Sequence, residues 1–171
     1  MAGVRDRGIG WSNVRTWRLE RIRRLRAADG WPAPVALQQH TYLRPRAGLD
    51  SASILDGEQL DYLRAHDDLP PVAYSPIRKG VRDSAAKRAG HWAMENYEGP
   101  DAQARLAAVA QVAAEIGVTA DQVVLAWLLR QSPTMIPLVG PRTLEQYETA
   151  HAALDAVLSG EQMVRLDAAG A

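Results

Sequence analysis

Four short apolar runs, each followed by a polar turn and then by a stretch with helical periodicity, constrain this chain more than any other feature. They lie at residues 8–11, 35–39, 72–74 and 136–139. Strands that alternate with helices imply parallel β/α units. The third run shows the pattern most clearly. Pro71 marks its start, Val72-Ala73-Tyr74 reads as a buried strand, and Ser75-Pro76 forces an extended exit, because a residue before proline is driven out of the helical region. Arg78, Lys79 and Gly80 then place cations and a flexible backbone just past the strand. In α/β folds, ligands bind at strand ends that open into loops of this kind.

Between the runs the helical signals are strong. A helix is predicted over 16–28, with Leu19, Ile22 and Leu25 on one face and Gly30 with Trp31-Pro32 as its stop. Arg15, Arg18, Arg21, Arg23, Arg24 and Arg26 occupy the rest of it. A nucleic-acid helix is the sharper reading of these arginines and a solvated outer face the plainer one. The balance of 20 basic against 20 acidic residues favours the plainer. His40 begins the exit loop of the second strand. Ile54, Leu55, Leu60 and Leu63 outline a helix over 53–66 despite Gly57. Residues 81–100 form a long polar segment, in which His91, Trp92 and Tyr97 suit either a lid or an inert insertion. Asp101 is the expected N-cap of a helix to 116, with Leu106, Val109, Ala110, Ala113 and Ile116 inward and Gly117 just beyond. Capping boxes open three more helices at Thr119–Gln122, Thr143–Gln146 and Ser159–Gln162. The first buries Val123, Val124, Trp127 and Leu128 and stops at Ser132-Pro133; the second runs to about 154; the last turns Met163 and Leu166 inward.

The chain's 171 residues, 47% of them apolar, fit one domain with a real core. It has no cysteine, so disulfides and thiolate metal sites are excluded. No apolar run reaches the roughly 18 residues that span a bilayer, and the first residues show no secretory h-region. A cytoplasmic protein is the expectation, with neither nucleic acid nor membrane as partner.

The chemistry collects at the strand ends. Ser12, Asn13, Gln39, Tyr74 and Ser75 would ring one mouth of a parallel barrel. The neutral donors and acceptors suit an amide or a ribose rather than a metal, and Tyr74 offers a face for stacking a heteroaromatic ring. The same residues also read as turn residues and a core tyrosine. Gly140-Pro141-Arg142-Thr143 joins a strand to a capped helix, where backbone N–H groups and an arginine attract phosphate; an ordinary N-cap beside a surface arginine is the alternative. There is no GxGxxG or P-loop pattern. His40, His66, His91 and His151 are scattered without metal-ligand spacing, and Glu58, Asp61, Asp67 and Asp68 read as helix-surface acids.

In sequence order, these stretches resemble the aldo-keto reductase family. Gly8-Ile9-Gly10-Trp11-Ser12-Asn13-Val14 is similar to the family's fifth-strand segment. The stretch from Val35 to Tyr42, with Gln39 three before Tyr42, is similar to its sixth, and Val72-Ala73-Tyr74-Ser75-Pro76-Ile77 to its seventh. Ile136-Pro137-Leu138-Val139-Gly140-Pro141-Arg142, followed by Glu145-Gln146, resembles the family's closing motif, and Leu158-Ser159-Gly160-Glu161-Gln162 its late helix. The resemblance covers nearly the whole chain. It implies a (β/α)₈ TIM-type barrel, of which residues 1–171 form one incomplete domain: the C-terminal half-barrel, with four β/α units and an extra C-terminal helix. It further implies NADPH or NADH as cofactor and a carbonyl compound as substrate. Ser12, Asn13 and Gln39 would hold the nicotinamide amide, and Tyr74 would stack on its ring. Ser75, Pro76 and Ile77 would line the pyrophosphate, and Gly140, Pro141, Arg142 and Gln146 would meet the adenosine phosphate end.

Two departures follow from the same comparison of motifs. The family closes its adenine site with a Glu-Asn pair where this chain has Thr149 and Ala150. Its catalytic Asp, Tyr, Lys and His come from the first four strands and have no matching position here. The isolated chain is therefore expected to be inactive toward aldehydes. A half-barrel also leaves two sheet edges and an inner face open, and such surface seeks a partner. A self-associating or partner-seeking half-barrel without activity is the rival expectation, and a sugar-phosphate-binding half-barrel a third.

Overall fold

A computed structural model of the chain describes residues 8–41, 53–77 and 99–170. Tyr42, the Arg78-Lys79-Gly80 turn and the segment with His91, Trp92 and Tyr97 lie outside the described residues.

The elements run β1 (Ile9–Ser12), α1 (Thr16–Asp29), β2 (Pro34–His40), α2 (Gly57–Arg64), β3 (Pro71–Tyr74), α3 (Pro100–Ile116), α4 (Ala120–Leu129), β4 (Ile136–Leu138), α5 (Leu144–His151), a 3-10 turn (Ala152–Leu154) and α6 (Gly160–Ala168). The four strands form one sheet in sequential order, every neighbouring pair parallel. Register partners in a parallel sheet point to the same face. Ser12, Gln38, Val72 and Ile136 therefore form one row, and His40, Tyr74 and Leu138 the next. The intervening residues, Trp11, Leu37 and Ala73, point the other way. There Leu37 and Ala73 are buried in a core with Leu19, Leu63, Val123 and Leu128. The helices thus pack on one face. On the opposite face Ile136 and Leu138 stay 51% and 50% exposed, and among the described residues β1 and β4 are the open edges. An eight-stranded parallel barrel with half its staves present has this form.

The expected elements are present, with local differences that have physical causes. His40 completes β2 rather than opening a loop, because Ser53–Leu55 pairs alongside it: the His40 N–H donates to the Ser53 carbonyl at 2.6 Å and the Leu55 N–H to the His40 carbonyl at 2.8 Å. Those residues are consequently lost to α2, which starts at Gly57 under an Asp56 cap. Leu25 is exposed, because α1 stands at the edge of the sheet and, among the described residues, packs against α2 on one side; its inward contacts reduce to Leu19 and Ile22. Pro100 rather than Asp101 opens α3, placing a residue without an N–H where the first turn has no acceptor for one. In α3 the buried stripe is Ala102, Arg105, Ala108, Val109, Val112 and Ala113, and Ala110 falls outside it. α1 and α3 end at Gly30 and Gly117, both left-handed at φ 70°. The boxes at Thr119 and Ser159 close in both directions. The one at Thr143 closes in one only, because the Gln146 side chain turns to the Arg142 N–H, 2.8 Å away.

Polar clamps fix the helix layer. Tyr62 of α2 donates to Glu20 Oε2 of α1 at 2.9 Å, and Arg24 Nε donates to Glu20 Oε1 at 2.6 Å. Trp127 Nε1 of α4 donates to Asp167 Oδ1 of α6 at 2.8 Å, and the buried Arg105 joins Asp101 to the Gly170 carbonyl. Burial, followed by the bond to the Glu20 carboxylate, pushes the Tyr62 phenol up to about 12. The bonds from Arg24 and then Tyr62 hold the Glu20 carboxyl below its ordinary range. The two ends of the pair therefore fail on opposite sides of neutrality. Tyr62's contribution to stability is complete below its ordinary value of 10.0 and is lost as pH rises through about 12. Glu20's contribution is complete above its ordinary 4.5 and is lost as pH falls through its lower folded value. In a spectrophotometric titration one tyrosine should ionise later than an ordinary phenol, and Tyr62→Phe should remove that late phase. Titration of every tyrosine at the ordinary position would refute the clamp.

Among the described residues no single helix is long and apolar enough to cross a membrane, and no group of three His, Asp or Glu residues is placed to hold a metal ion.

Candidate cofactor site

The polar residues at the strand ends are joined into one hydrogen-bonded group. Asn13 follows β1 in the left-handed region, φ 55°, a conformation that asparagine tolerates better than most residues. Its backbone N–H donates to Gln39 Oε1 at 2.8 Å, and its side-chain amide donates to Ser12 Oγ at 3.0 Å. From the end of β3, Tyr74 Oη donates to Asn13 Oδ1 at 3.1 Å, reaching across β2. The Tyr74 ring centroid lies 5.3 Å from that of His40, tilted by 58°. Ser75 is the second non-glycine residue at positive φ, 49°. Two such residues, at the ends of β1 and β3, make this mouth the conformationally costly part of the described backbone, of order 1–3 kcal/mol each, and residues of that kind cluster at ligand sites.

Gln39 is only 1% exposed, and it lies behind the mouth rather than in it. Its Nε2 donates to the Val14 carbonyl at 3.0 Å and to Gln59 Oε1 at 2.8 Å. Gln59, from the first turn of α2, is also buried, and its Nε2 donates to the same Val14 carbonyl at 2.9 Å. The two glutamines thus grip the backbone on both sides of the Asn13–Val14 peptide. Sequence reading misses Gln59. The available signal is Asp56 three residues before it, whose carboxylate accepts the Gln59 N–H at 2.8 Å. In a capping box the Gln59 side chain would turn back to the cap, whereas here it is free to point inward.

Ser12, Asn13, Tyr74 and Ser75 are therefore brought together, with Gln39 as their brace. Pro76 is buried and Ile77 half-buried directly after them. Gly140, Pro141, Arg142 and Gln146 gather after β4 at the start of α5, all exposed. Arg142 and Gln146 are bonded to each other through the Arg142 N–H. Thr149 Oγ1 donates to the Glu145 carbonyl at 2.8 Å, so that hydroxyl turns onto its own helix.

An open sequential parallel sheet, helices on one face and a polar mouth at its strand ends define a partial β/α barrel. Residues 6–171 match the model of the aldo/keto reductase family, and the chain belongs to that family. Among solved structures it is similar to an aldo/keto reductase from Klebsiella pneumoniae in complex with NADP and acetate, at 25% identity and a TM-score of 0.64, over 94% of this chain and 47% of that one. It also shares its fold with a thermostable aldo-keto reductase in complex with the inhibitor epalrestat, at 24% identity and a TM-score of 0.63, again over 94% and 47%. The chain thus spans about half the length of these relatives.

Proposed function

We propose that this chain carries the cofactor-binding half of an NAD(P)-dependent aldo-keto reductase site, as one incomplete domain over residues 1–171, in the cytoplasm. The observation that carries the reading is the bonded group of Ser12, Asn13 and Tyr74, braced by Gln39. The described residues fit a nicotinamide dinucleotide. Ser12 and Asn13 present a hydroxyl and a carboxamide suited to the cofactor's amide, and Gln39 takes part by fixing Asn13. The half-buried Tyr74 supplies a ring face at the edge of the group. Ser75, Pro76 and Ile77 continue the wall along the pyrophosphate. Gly140, Pro141, Arg142 and Gln146 meet the adenosine phosphate end at the start of α5, where the helix dipole and the exposed Arg142 guanidinium both favour an anion. A bound nicotinamide supplies the hydride that reduces a carbonyl compound in this family.

The family's Asp, Tyr, Lys and His have no counterpart in this chain, so binding without turnover is the expected behaviour. With NADPH present, the purified chain should reduce no aldehyde. Cofactor consumption above the protein-free rate, in step with alcohol formed, would overturn that part of the reading.

Fluorescence titration with NADPH and NADH tests the site itself. Binding in the micromolar range is expected. Tyr74→Ala should weaken both cofactors by roughly tenfold or more, the size of effect given by losing an aromatic contact and the hydrogen bond it carries. The exposed Arg142 guanidinium is suited to pair with a 2′-phosphate. Arg142→Ala should therefore weaken NADPH more than NADH. A cooperatively folded chain that binds neither would shift the reading to a half-barrel with a vestigial pocket.

A further inference from the structure

The two open edges of the sheet are unlike, and their differences are complementary. α1 stands at the β1 edge. Between Thr16 and Asp29 it holds five arginines against two acids; Arg23 is paired with Asp68 and Arg24 with Glu20, and Arg18 and Arg21 stand exposed. Trp17 and Leu25 are exposed on it, at 57% and 51%. Beyond the β4 edge stands the segment from Leu144 to Asp155, with Glu145, Glu148 and Asp155 and no lysine or arginine. It exposes Leu144, Tyr147 and Leu154 at 71%, 53% and 57%, and α5 within it has no buried residue. One edge is thus cationic and apolar, and the other anionic and apolar. Between them lies the uncovered face with Val72, Ile136 and Leu138.

We propose that a second copy of this chain covers that face, and that two copies close an eight-stranded parallel barrel about a two-fold axis. The geometry is simple. Four strands in sequential order, all parallel, present β1 and β4 as edges pointing the same way. A two-fold axis along the barrel sets β4 of each copy beside β1 of the other, in the parallel sense, at two equivalent seams. Edge-to-edge contacts between unlike surfaces form open chains unless the rotation closes them, and here closure comes after two copies. Eight is also the strand number at which a barrel interior is filled by side chains. At each seam the arginine-rich α1 of one copy approaches the acidic segment of the other, so the attraction acts twice. Ile136 and Leu138 leave water for the shared interior. Both mouths open at the same end, and each copy supplies the wall that the other lacks.

Static light scattering on the purified chain at micromolar concentration tests the assembly, and its readout is mass rather than cofactor affinity, so it stands or falls apart from the reductase reading. The expected mass is twice 18.7 kDa. Leu138→Lys sets an ammonium in the shared interior and should weaken the dimer at least roughly tenfold, the scale of an unpaired buried charge. Arg18→Glu with Arg21→Glu, both on the exposed side of α1, should also weaken it, more at low salt than at high. Adding Glu145→Lys and Glu148→Lys to that variant should restore it. Circular dichroism of each variant should match the parent, and the exposed charge reversals keep the test open should the lysine variant fail to fold. A mass of 18.7 kDa would overturn the proposal. So would an open-ended ladder of larger species, or a dimer indifferent to both sets of changes. A monomer that gains mass only on mixing with the first half of a full-length relative would overturn it in favour of that occupant.

Discussion

Replacing Gln39 by leucine should destabilise the fold by roughly 2–6 kcal/mol and remove nicotinamide binding together with it, since one buried and one part-buried partner each lose a bond worth about 1–3 kcal/mol to leave unmade. The partners are the Asn13 N–H and Gln59 Oε1, both bonded to the Gln39 amide at 2.8 Å. Val14 loses less, because Gln59 Nε2 still donates to its carbonyl. The leucine fits the volume but satisfies neither group. Asn13 would then lose the contact that holds it in its left-handed conformation. A urea titration measures the first effect as a lower midpoint at unchanged slope. Cofactor fluorescence measures the second on whatever fraction remains folded. A midpoint within a few tenths of a kcal/mol of the parent would show that the two glutamines do not brace the mouth. Gln39→Glu gives a sharper control. It keeps an acceptor for Asn13 but sets a buried carboxylate against the Val14 carbonyl and Gln59 Oε1, so near neutral pH it should destabilise at least as much as the leucine.

The second large effect is expected at Leu128. It is fully buried in α4, whose residues from Val123 to Leu128 all lie in the core or at its border. Truncation to alanine should cost about 2–5 kcal/mol, the range for a buried leucine whose surroundings relax only partly. A typical domain has about 5–15 kcal/mol in total, so this single change would bring a half-barrel close to its unfolding threshold. Loss of a cooperative thermal transition near room temperature is the expected result. Leu25→Ala, made on the exposed side of α1, should leave the monomer transition almost unchanged. Equal destabilisation by the two variants would mean that the core does not lie where the helix layer and the sheet meet.

Much of this arrangement was legible in the amino-acid order. The alternation of strand and helix, the boxes at Thr119 and Ser159, the glycine stops at Gly30 and Gly117 and the polar strand ends all rest on local chemistry, which a sequence states directly. Other features needed three dimensions. Leu25 satisfies the helical period, yet it is exposed because nothing among the described residues packs beyond the open edge. Ala110 likewise has an acceptable spacing but points away from α4 and α6. The pairing of Ser53–Leu55 with His40 turned an expected first turn of helix into an extended segment, a tertiary choice that no propensity foretells. The brace was the least visible of all. Gln59 joins Val14 over 45 residues of chain, and a surface glutamine in a helix has the same composition as a buried one.

That brace also dictates when the mouth can exist. Its bonds span 20, 26 and 61 residues, between Gln39 and Gln59, Asn13 and Gln39, and Tyr74 and Asn13. Contacts so distant along the chain require large loops to close before they return any enthalpy, and they form late. Three strands and the first turn of α2 must therefore be docked before Asn13 can hold its left-handed turn. The mouth is a late-maturing feature that reports on the completed register of β1, β2 and β3. A chain whose strands have slipped by one residue would present no binding surface at all, so ligand recognition doubles as a check on assembly.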